Sequence, residues 1–517
     1  MGHILQVNQL SIGFEEKQGV RQVVDEISFH VAEGEILGIV GESGSGKSIT
    51  SLTIMDLLKA NARVIKGEIL FEGRNLLAMS EKEKRALKGK EISMVFQEPM
   101  TSLNPLMKVG PQVEEVLLIH TSLESKERKK EVLRMLGEVG LKDGEAIYQK
   151  YPHQLSGGMR QRIMIAMAMI CRPKLLIADE PTTALDVTVQ KQILELLKKM
   201  NRDFHTSIIF ISHDLSVVRS LCRRAVVMNE GKIVELGEVN DLFTNPKEAY
   251  TKRLLAAVPT IGKVIGQQVK NNKAVMCEAI NYSVFYEERK NGFFKKPTNR
   301  KIVDSVSFQI MEGEIYGVVG ESGSGKSTLA KAIVGLNTNT KGELLLESSK
   351  PQMVFQDPYS SLNPAKKIES ILAEPLRIKG GYSKEQIRER VLAMLEQVGL
   401  PKEYASRRID RLSGGQRQRV AIGLALMNNP SFLVLDEPVS ALDVTIQDQI
   451  LHLLKSLQEK YHLTYLFISH DLSVVYNLCD RIAVMKDGKI VEEGTREEIY
   501  SKPNHEYTKQ LLEAVVS

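Results

Sequence analysis

A two-copy α/β fold, each copy built on a largely parallel sheet covered on both faces, is what this sequence predicts. Three observations carry the expectation. Phrases from the first half return in the second in the same order, short apolar runs at residues 35–40, 175–178 and 207–211 each end in a polar phrase, and helical stretches separate those runs. Continuously apolar strands are those buried on both faces, and joining them in parallel takes a crossover connection. In such sheets the chemistry gathers where the strands end.

Two copies follow from length and repetition. At 517 residues and 43% hydrophobic, the chain exceeds one ordinary domain and can bury at least two cores. Gly41-Glu42-Ser43-Gly44-Ser45-Gly46-Lys47-Ser48 returns as Gly320-Glu321-Ser322-Gly323-Ser324-Gly325-Lys326-Ser327. Val95-Phe96-Gln97 returns as Val354-Phe355-Gln356, and Leu155-Ser156-Gly157-Gly158 as Leu412-Ser413-Gly414-Gly415. The phrases at 184–188 and 211–215 return at 441–445 and 468–472, and the intervals from Ser156 to Asp179 to His213 equal those from Ser413 to Asp436 to His470. A repeat this long is a duplicated domain, not a solenoid unit. The expected division is a first domain at 1–258, a linker at 259–273 rich in Gly, Gln, Asn and Lys, and a second domain at 274–517. The second copy is shorter by about 20 residues between its loop lysine and its glutamine. In the first copy that stretch reads as a strand over 67–71 and a helix over 80–90, both peripheral.

Composition narrows the class by exclusion. A net charge of +5 on a chain of this size builds no strong field for nucleic acid or an anionic membrane. Cys171, Cys222, Cys277 and Cys479 lie far apart without a C-x-x-C pair, which argues against zinc, an iron–sulfur cluster or a dithiol switch and fits a reducing compartment. Cys222 and Cys479 follow the recurring histidines by the same interval, among apolar helical positions, and read as core thiols. The first residues lack the basic flank and apolar stretch of a secretory signal, and no run reaches about 18 apolar residues. The apolar run at 163–171 reads as a buried helix.

The glycine-rich octets follow apolar strands and open helices, the P-loop arrangement in which backbone N–H groups curl around phosphate oxygens at a helix N-terminus. Lys47 and Lys326 then face the β- and γ-phosphates, with the Ser48 and Ser327 hydroxyls on Mg²⁺. Apolar strands deliver Asp179-Glu180 and Asp436-Glu437, the aspartates suited to the Mg²⁺ shell and the glutamates to polarising a water. Phosphoryl transfer asks a protein chiefly for positioned charge and an oriented water. Gln97 and Gln356 can touch both metal and water, and His213 and His470 end strands where an imidazole meets the γ-phosphate. Taken singly, each has a plainer structural reading: a chance Gly-rich turn, an acidic pair closing a strand, an isolated glutamine, a satisfied histidine. Their repetition in register favours function. Ser156-Gly157-Gly158 and Ser413-Gly414-Gly415 open helices, as a second anion-binding helix start or as an N-cap.

This set of motifs resembles the nucleotide-binding domain of ABC ATPases, over nearly the whole chain apart from the linker. The resemblance implies two tandem P-loop NTPase domains, each with a mainly parallel sheet and flanking helices, an antiparallel β subdomain and a helical signature subdomain. It implies ATP hydrolysis with Mg²⁺, and intramolecular head-to-tail pairing of the domains. Carried over, one site combines Lys47, Ser48, Gln97, Asp179, Glu180 and His213 with Ser413, Gly414 and Gly415. The other combines Lys326, Ser327, Gln356, Asp436, Glu437 and His470 with Ser156, Gly157 and Gly158. Mg²⁺ falls to Ser48, Gln97 and Asp179 and to Ser327, Gln356 and Asp436; adenine stacking falls to Phe14 and Tyr286. Neither site looks degenerate, so two hydrolysing sites are expected.

More narrowly, the phrase at 99–105 and its counterpart at 358–364, Tyr151-Pro152-His153-Gln154-Leu155, and the tails at 250–255 and 507–512 look like the oligopeptide, dipeptide, glutathione and nickel branch of importers. That implies two separate transmembrane permease subunits and, through them, an extracytoplasmic solute-binding protein. It places this chain peripherally on the cytoplasmic face of the membrane, with no membrane segment of its own and no nucleic acid. Two features depart from the branch. Neither half carries the clustered cysteines that follow the tail in many members, and Arg408-Ile409-Asp410-Arg411 replaces the Tyr-Pro-His-Gln phrase, which bears on a permease contact and not on catalysis. A soluble ABC protein acting on ribosomes or nucleic acid is the competing class, without its long charged linker or zinc-binding cysteines here. An exporter motor is the other alternative, and the tails weigh against it.

Overall fold

The computed structural model describes residues 2–16, 19–97, 102–183, 185–258, 265, 274–288, 298–347, 351–440 and 442–516. Residues 99–101, Ala184, Ala441 and every linker residue except Ile265 lie outside them. The chain divides into two compact units, residues 1–185 with 189–258 and residues 186–188 with 259–517.

The first unit is built on a six-stranded sheet in the order Lys232–Glu238, Arg224–Asn229, Ile36–Val40, Ser207–Ser212, Leu175–Asp179, Ile92–Val95. Its strands are parallel except for the outermost hairpin. Every residue of Leu175–Asp179 and Ser207–Ser212 is buried. Alternation along the strand sends those side chains to two different cores. Leu176, Ala178, Ile208 and Phe210 pack with Ile163, Ile193 and Leu197 of the helices. Leu175, Ile177, Ile209 and Ile211 pack with Leu5, Leu10, Ile12 and Ile27 of a second sheet. That sheet is antiparallel, in the order Gly19–Ala32, His3–Glu16, Ala62–Phe71, Arg74–Asn75. Helices cover one face of the central strands and a sheet the other, which is why their sequences are apolar without a break.

The second unit repeats the order with Lys489–Thr495, Arg481–Lys486, Ile315–Val319, Thr464–Ile468, Phe432–Asp436 and Gln352–Val354. Among the described residues its antiparallel sheet has three strands, Thr298–Met311, Val275–Glu288 and Thr340–Leu346. In the first unit the extra residues form the strand Arg74–Asn75, a 3-10 turn and the helix Glu81–Leu87, opened by a Ser80–Glu83 capping box. Lys84 and Lys88 from that helix pair with Asp56, beyond the end of the helix that follows the glycine-rich loop, at 3.2 and 2.9 Å. The shorter second copy therefore loses periphery.

Two helix ends repay closer description. Cys222 and Cys479 lie just past the helices Leu215–Leu221 and Leu472–Leu478, at their C-caps and not within them. Burial pushes both thiols up. The run at 163–171 lies mostly in the helix Gly157–Met169, with Ile163, Ile165 and Met169 buried. Among the described residues no helix is long and apolar enough to cross a membrane.

Candidate active site

Each glycine-rich loop hangs from a central strand, Ile36–Val40 or Ile315–Val319, and opens a helix, Lys47–Ile54 or Lys326–Ile333. Gly41 has φ 154°, and a Cβ there would lie 2.2 Å from the Met228 carbonyl oxygen on the neighbouring strand. Gly320 repeats this with φ 153° and 2.1 Å to the Met485 carbonyl. Any side chain would push the loop off the sheet. Lys47 is only 5% exposed, and its ammonium donates to the carbonyls of Gly41 at 2.7 Å and Glu42 at 2.8 Å. Lys326 does the same to Gly320 at 2.6 Å and Glu321 at 2.8 Å.

The aspartates come from the strands Leu175–Asp179 and Phe432–Asp436, two places from the loop strands in each sheet, with Ser207–Ser212 or Thr464–Ile468 between. Ser48 donates to Asp179 Oδ1 at 3.2 Å, and Ser327 to Asp436 Oδ1 at 2.9 Å. Burial pushes Asp179 up to about 6; the Ser48 hydrogen bond opposes that rise and the Glu180 charge adds to it. Burial also raises Asp436. A buried carboxylate short of compensating charge, bonded to a serine hydroxyl, is an all-oxygen donor set of the kind Mg²⁺ takes.

Glu180 and Glu437 stand one residue past their strands with φ 48° and 47°, where residues other than glycine seldom sit. The N–H of each still completes the ladder, donating to Ile211 and Ile468 respectively at 2.9 Å. The chain therefore turns sharply straight after its last sheet bond. Oε2 of Glu180 accepts from Gln97 Nε2 at 2.7 Å and Thr183 Oγ1 at 3.0 Å, and lies 3.3 Å from His213 Nδ1. Oε2 of Glu437 accepts from Gln356 Nε2 at 2.8 Å and lies 3.3 Å from His470 Nδ1. Burial pushes Glu180 up, but His213, Lys47 and Thr183 together outweigh it and bring the carboxyl below its ordinary value. Burial pulls His213 down, and Glu180 with Asp214 outweighs it, so the imidazole rises above 6.5. Glu437 and His470 shift in the same directions for the same reasons.

The histidines owe their place to the residue that follows. Asp214 accepts from the N–H groups of Ser216 at 2.8 Å and Val217 at 3.4 Å, capping the helix Leu215–Leu221. Asp471 caps Leu472–Leu478 in the same way. The caps turn the chain immediately after each histidine, whose ring then faces the glutamate.

The Ser-Gly-Gly turns are N-caps: Ser156 accepts from the Met159 N–H at 3.3 Å and Ser413 from Gln416 at 3.4 Å. Their second glycines have a packing reason as well. A Cβ on Gly158 would lie 2.6 Å from Val189, and one on Gly415 2.3 Å from Ile446. Phe14 and Tyr286 occupy equivalent register positions, opposite Arg21 and Arg300 in their antiparallel sheets. The partner strand of Phe14 touches the loop through Val23 and Val24, against Gly46. Neither aromatic takes part in the hydrogen-bonded cluster around the glutamates.

These constellations place a buried lysine, a serine–aspartate pair and a glutamate–glutamine–histidine group around each glycine-rich loop. The ABC transporter family matches residues 24–183 and 303–440, each segment spanning its loop and its Asp-Glu pair. This chain belongs to the ABC transporter family. As a member it binds ATP and is an ATPase. A second family match, described as the C-terminal region of oligopeptide/dipeptide transporters, covers residues 234–289 and 491–517. The chain is 44% identical to the peptidoglycan transport ATP-binding protein YejF of Agrobacterium fabrum, across 99% of this chain and 96% of that protein. It is 41% identical to the glutathione import ATP-binding protein GsiA of Salmonella paratyphi A, across 99% of this chain and 89% of that one. Among solved structures, the archaeal ribosome recycling factor aABCE1, in complex with the ribosomal stalk protein aP1, matches with a TM-score of 0.62 over 94% of this chain and 90% of that one. At 19% identity that likeness is one of fold.

Two features of this ABC ATPase escaped the sequence reading. Thr183 bonds Glu180, and a hydroxyl recurs at Ser440, which instead donates to the Glu437 carbonyl at 3.2 Å. The tail tyrosines Tyr250 and Tyr507 also reach the loops. A signal was present, since they follow His213 and His470 by equal intervals.

Proposed function

We propose that this chain is the ATP-hydrolysing subunit of an importer for peptides or related small solutes, of dipeptide, oligopeptide, glutathione or nickel type. The observation that carries the reading is the oligopeptide/dipeptide transporter C-terminal region, matched at residues 234–289 and 491–517, which include both tail phrases. The names of relatives concerned with peptidoglycan transport and glutathione import support it. In this reading the domains are 1–258 and 274–517, joined by 259–273. Two separate permease subunits hold the chain on the cytoplasmic face of the membrane, and a solute-binding protein outside delivers cargo to them.

Within each unit the proposed roles follow the geometry. Lys47 and Lys326 leave their loop carbonyls for the β- and γ-phosphates. Ser48 with Asp179, and Ser327 with Asp436, hold Mg²⁺, which when bound offsets phosphate charge. Gln97 and Gln356 donate their amide nitrogens to the glutamates, which leaves each amide oxygen for the cation. Glu180 and Glu437 take the proton of the attacking water, and His213 and His470 steady the glutamates beside the γ-phosphate. Phe14 and Tyr286 stack on adenine. Pairing of each set with the Ser-Gly-Gly turn of the other domain, implied by the family resemblance, belongs to the same proposal.

The test is recovery of the tagged chain from solubilised membranes, with ATPase activity assayed on what accompanies it. Two integral membrane proteins and stimulated hydrolysis are the expected result. Recovery of ribosomes or nucleic acid instead would overturn the transport reading and leave the ATPase standing.

A further inference from the structure

The tail phrases at 250–255 and 507–512 belong to the helices Ala249–Ala257 and Glu506–Val516. Although 208 residues separate them, the Tyr250 hydroxyl accepts the N–H of Glu42 at 3.1 Å. The Tyr507 hydroxyl accepts the N–H of Glu321 at 3.0 Å, across 186 residues. In both loops this N–H belongs to the peptide that joins the first glycine to the glutamate. The carbonyl of the same peptide is one of the two bonded to the loop lysine, at 2.7 Å for Gly41 and 2.6 Å for Gly320. One peptide plane is thus pinned at both ends, by the lysine and by the tyrosine.

Those two pins differ in permanence. Under the nucleotide reading the lysine turns to phosphate when ATP arrives and releases the carbonyl. The peptide then follows a glycine, whose backbone resists rotation least, and the tyrosine is what keeps it oriented. The tyrosines are themselves well fixed, 9% and 4% exposed. The Arg253 guanidinium lies 5.3 Å from the Tyr250 ring centre, and the Lys486 ammonium 4.6 Å from that of Tyr507. Burial pushes the Tyr507 phenol up to about 12, so it stays neutral at physiological pH. Each tail is tied in turn to the outer hairpin of its sheet. Glu235 accepts the N–H groups of Lys247 at 2.9 Å and Glu248 at 3.3 Å, and Glu492 accepts those of Asn504 at 2.7 Å and His505 at 3.1 Å.

We propose that Tyr250 and Tyr507 are positioning residues for the two phosphate loops, so that the C-terminal helix of each unit sets how tightly that unit holds ATP. The inference rests on the nucleotide reading above. Tyr250→Phe and Tyr507→Phe remove one oxygen each and keep the ring. Hydrogen exchange on the ligand-free full-length chain should show faster exchange in peptides covering 41–48 and 320–327. The dissociation constant for ATP in the double variant should rise about 2- to 10-fold, the weight of one neutral hydrogen bond, with turnover at saturating ATP preserved where it is assayed. Tyr148→Phe serves as control, because its hydroxyl bonds Glu114 at 2.5 Å, away from the loop; it should move neither quantity. Loop exchange and ATP affinity both equal to wild type would overturn the proposal, as would a lowered melting temperature with loop exchange unchanged. A wild-type chain that fails to bind ATP would count against the nucleotide reading, while loop exchange would still decide the role of the tyrosines.

Discussion

Replacing Asp179 by Asn should make the first unit of the ligand-free protein more stable while removing that unit's response to Mg²⁺ and ATP. The carboxyl is raised from 3.8 to about 6, with burial the leading cause. The native chain therefore keeps a proton that the unfolded chain gives up. The stability due to that proton is fully present below pH 3.8 and is lost as pH rises through about 6. Above that pH the folded chain carries an ionised buried group at a cost of about 3 kcal/mol, taking about 1.4 kcal/mol per pH unit. Asn keeps the shape and an oxygen for the Ser48 hydroxyl but never ionises. In EDTA at pH 8 the first unit of the variant should melt higher by up to about 6–12 °C, at roughly 2–4 °C per kcal/mol for a domain of this size. By linkage the gain should shrink to about half at pH 5. Mg²⁺ and ATP should then raise the melting transition of the first unit in the wild type and leave that of the variant where it was, while the second unit responds in both. Calorimetry across this pH range is the assay. A variant no more stable than wild type at pH 8, or a gain independent of pH, would refute the reasoning.

Three further outcomes are expected. Changing both Glu180 and Glu437 to Gln should lower turnover by about 10²–10⁴-fold, the usual worth of a general base, with ATP binding intact; each single variant keeps about half the activity if the sites are independent, and full turnover in both singles would exclude the assignment. The His213–Glu180 pair should add stability in full between pH 4.5 and 6.5. That contribution is lost as pH rises through the elevated histidine pKa and as it falls through the depressed glutamate pKa, so the difference in melting temperature between wild type and His213→Ala should peak in that window and narrow on either side. Gly41→Ala, with its Cβ 2.2 Å from the Met228 carbonyl, should abolish nucleotide binding at the first loop; equilibrium binding showing two intact sites would contradict the account of that glycine.

How much of this was legible in the sequence depends on how local each feature is. The loop, the Asp-Glu pair and the His-Asp pair are each a strand followed at once by a polar phrase, so spacing alone locates them. Repetition then separates function from chance. The antiparallel sheet is another matter, because His3–Glu16 finds its partners at Gly19–Ala32 and, across the chain, at Ala62–Phe71, with the register broken by bulges. Periodicity cannot supply that pairing, and only the family resemblance anticipated it. The left-handed turn at Glu180 is invisible in a two-letter phrase, since the Asp-Glu pair would read the same on an extended backbone. Tyr250 reads as part of a tail and not as a neighbour of Glu42, because nothing in sequence spacing says what a side chain touches 208 residues away.

The contacts around Glu180 bear on the free energy available when a nucleotide binds. Its Oε2 is already committed to Gln97, Thr183 and His213, and Lys47 is satisfied by its own loop. Both groups therefore have partners to give up before they can act on a nucleotide. Under the proposed roles, what either group gains by engaging a nucleotide is the difference between its new hydrogen bonds and those it already makes.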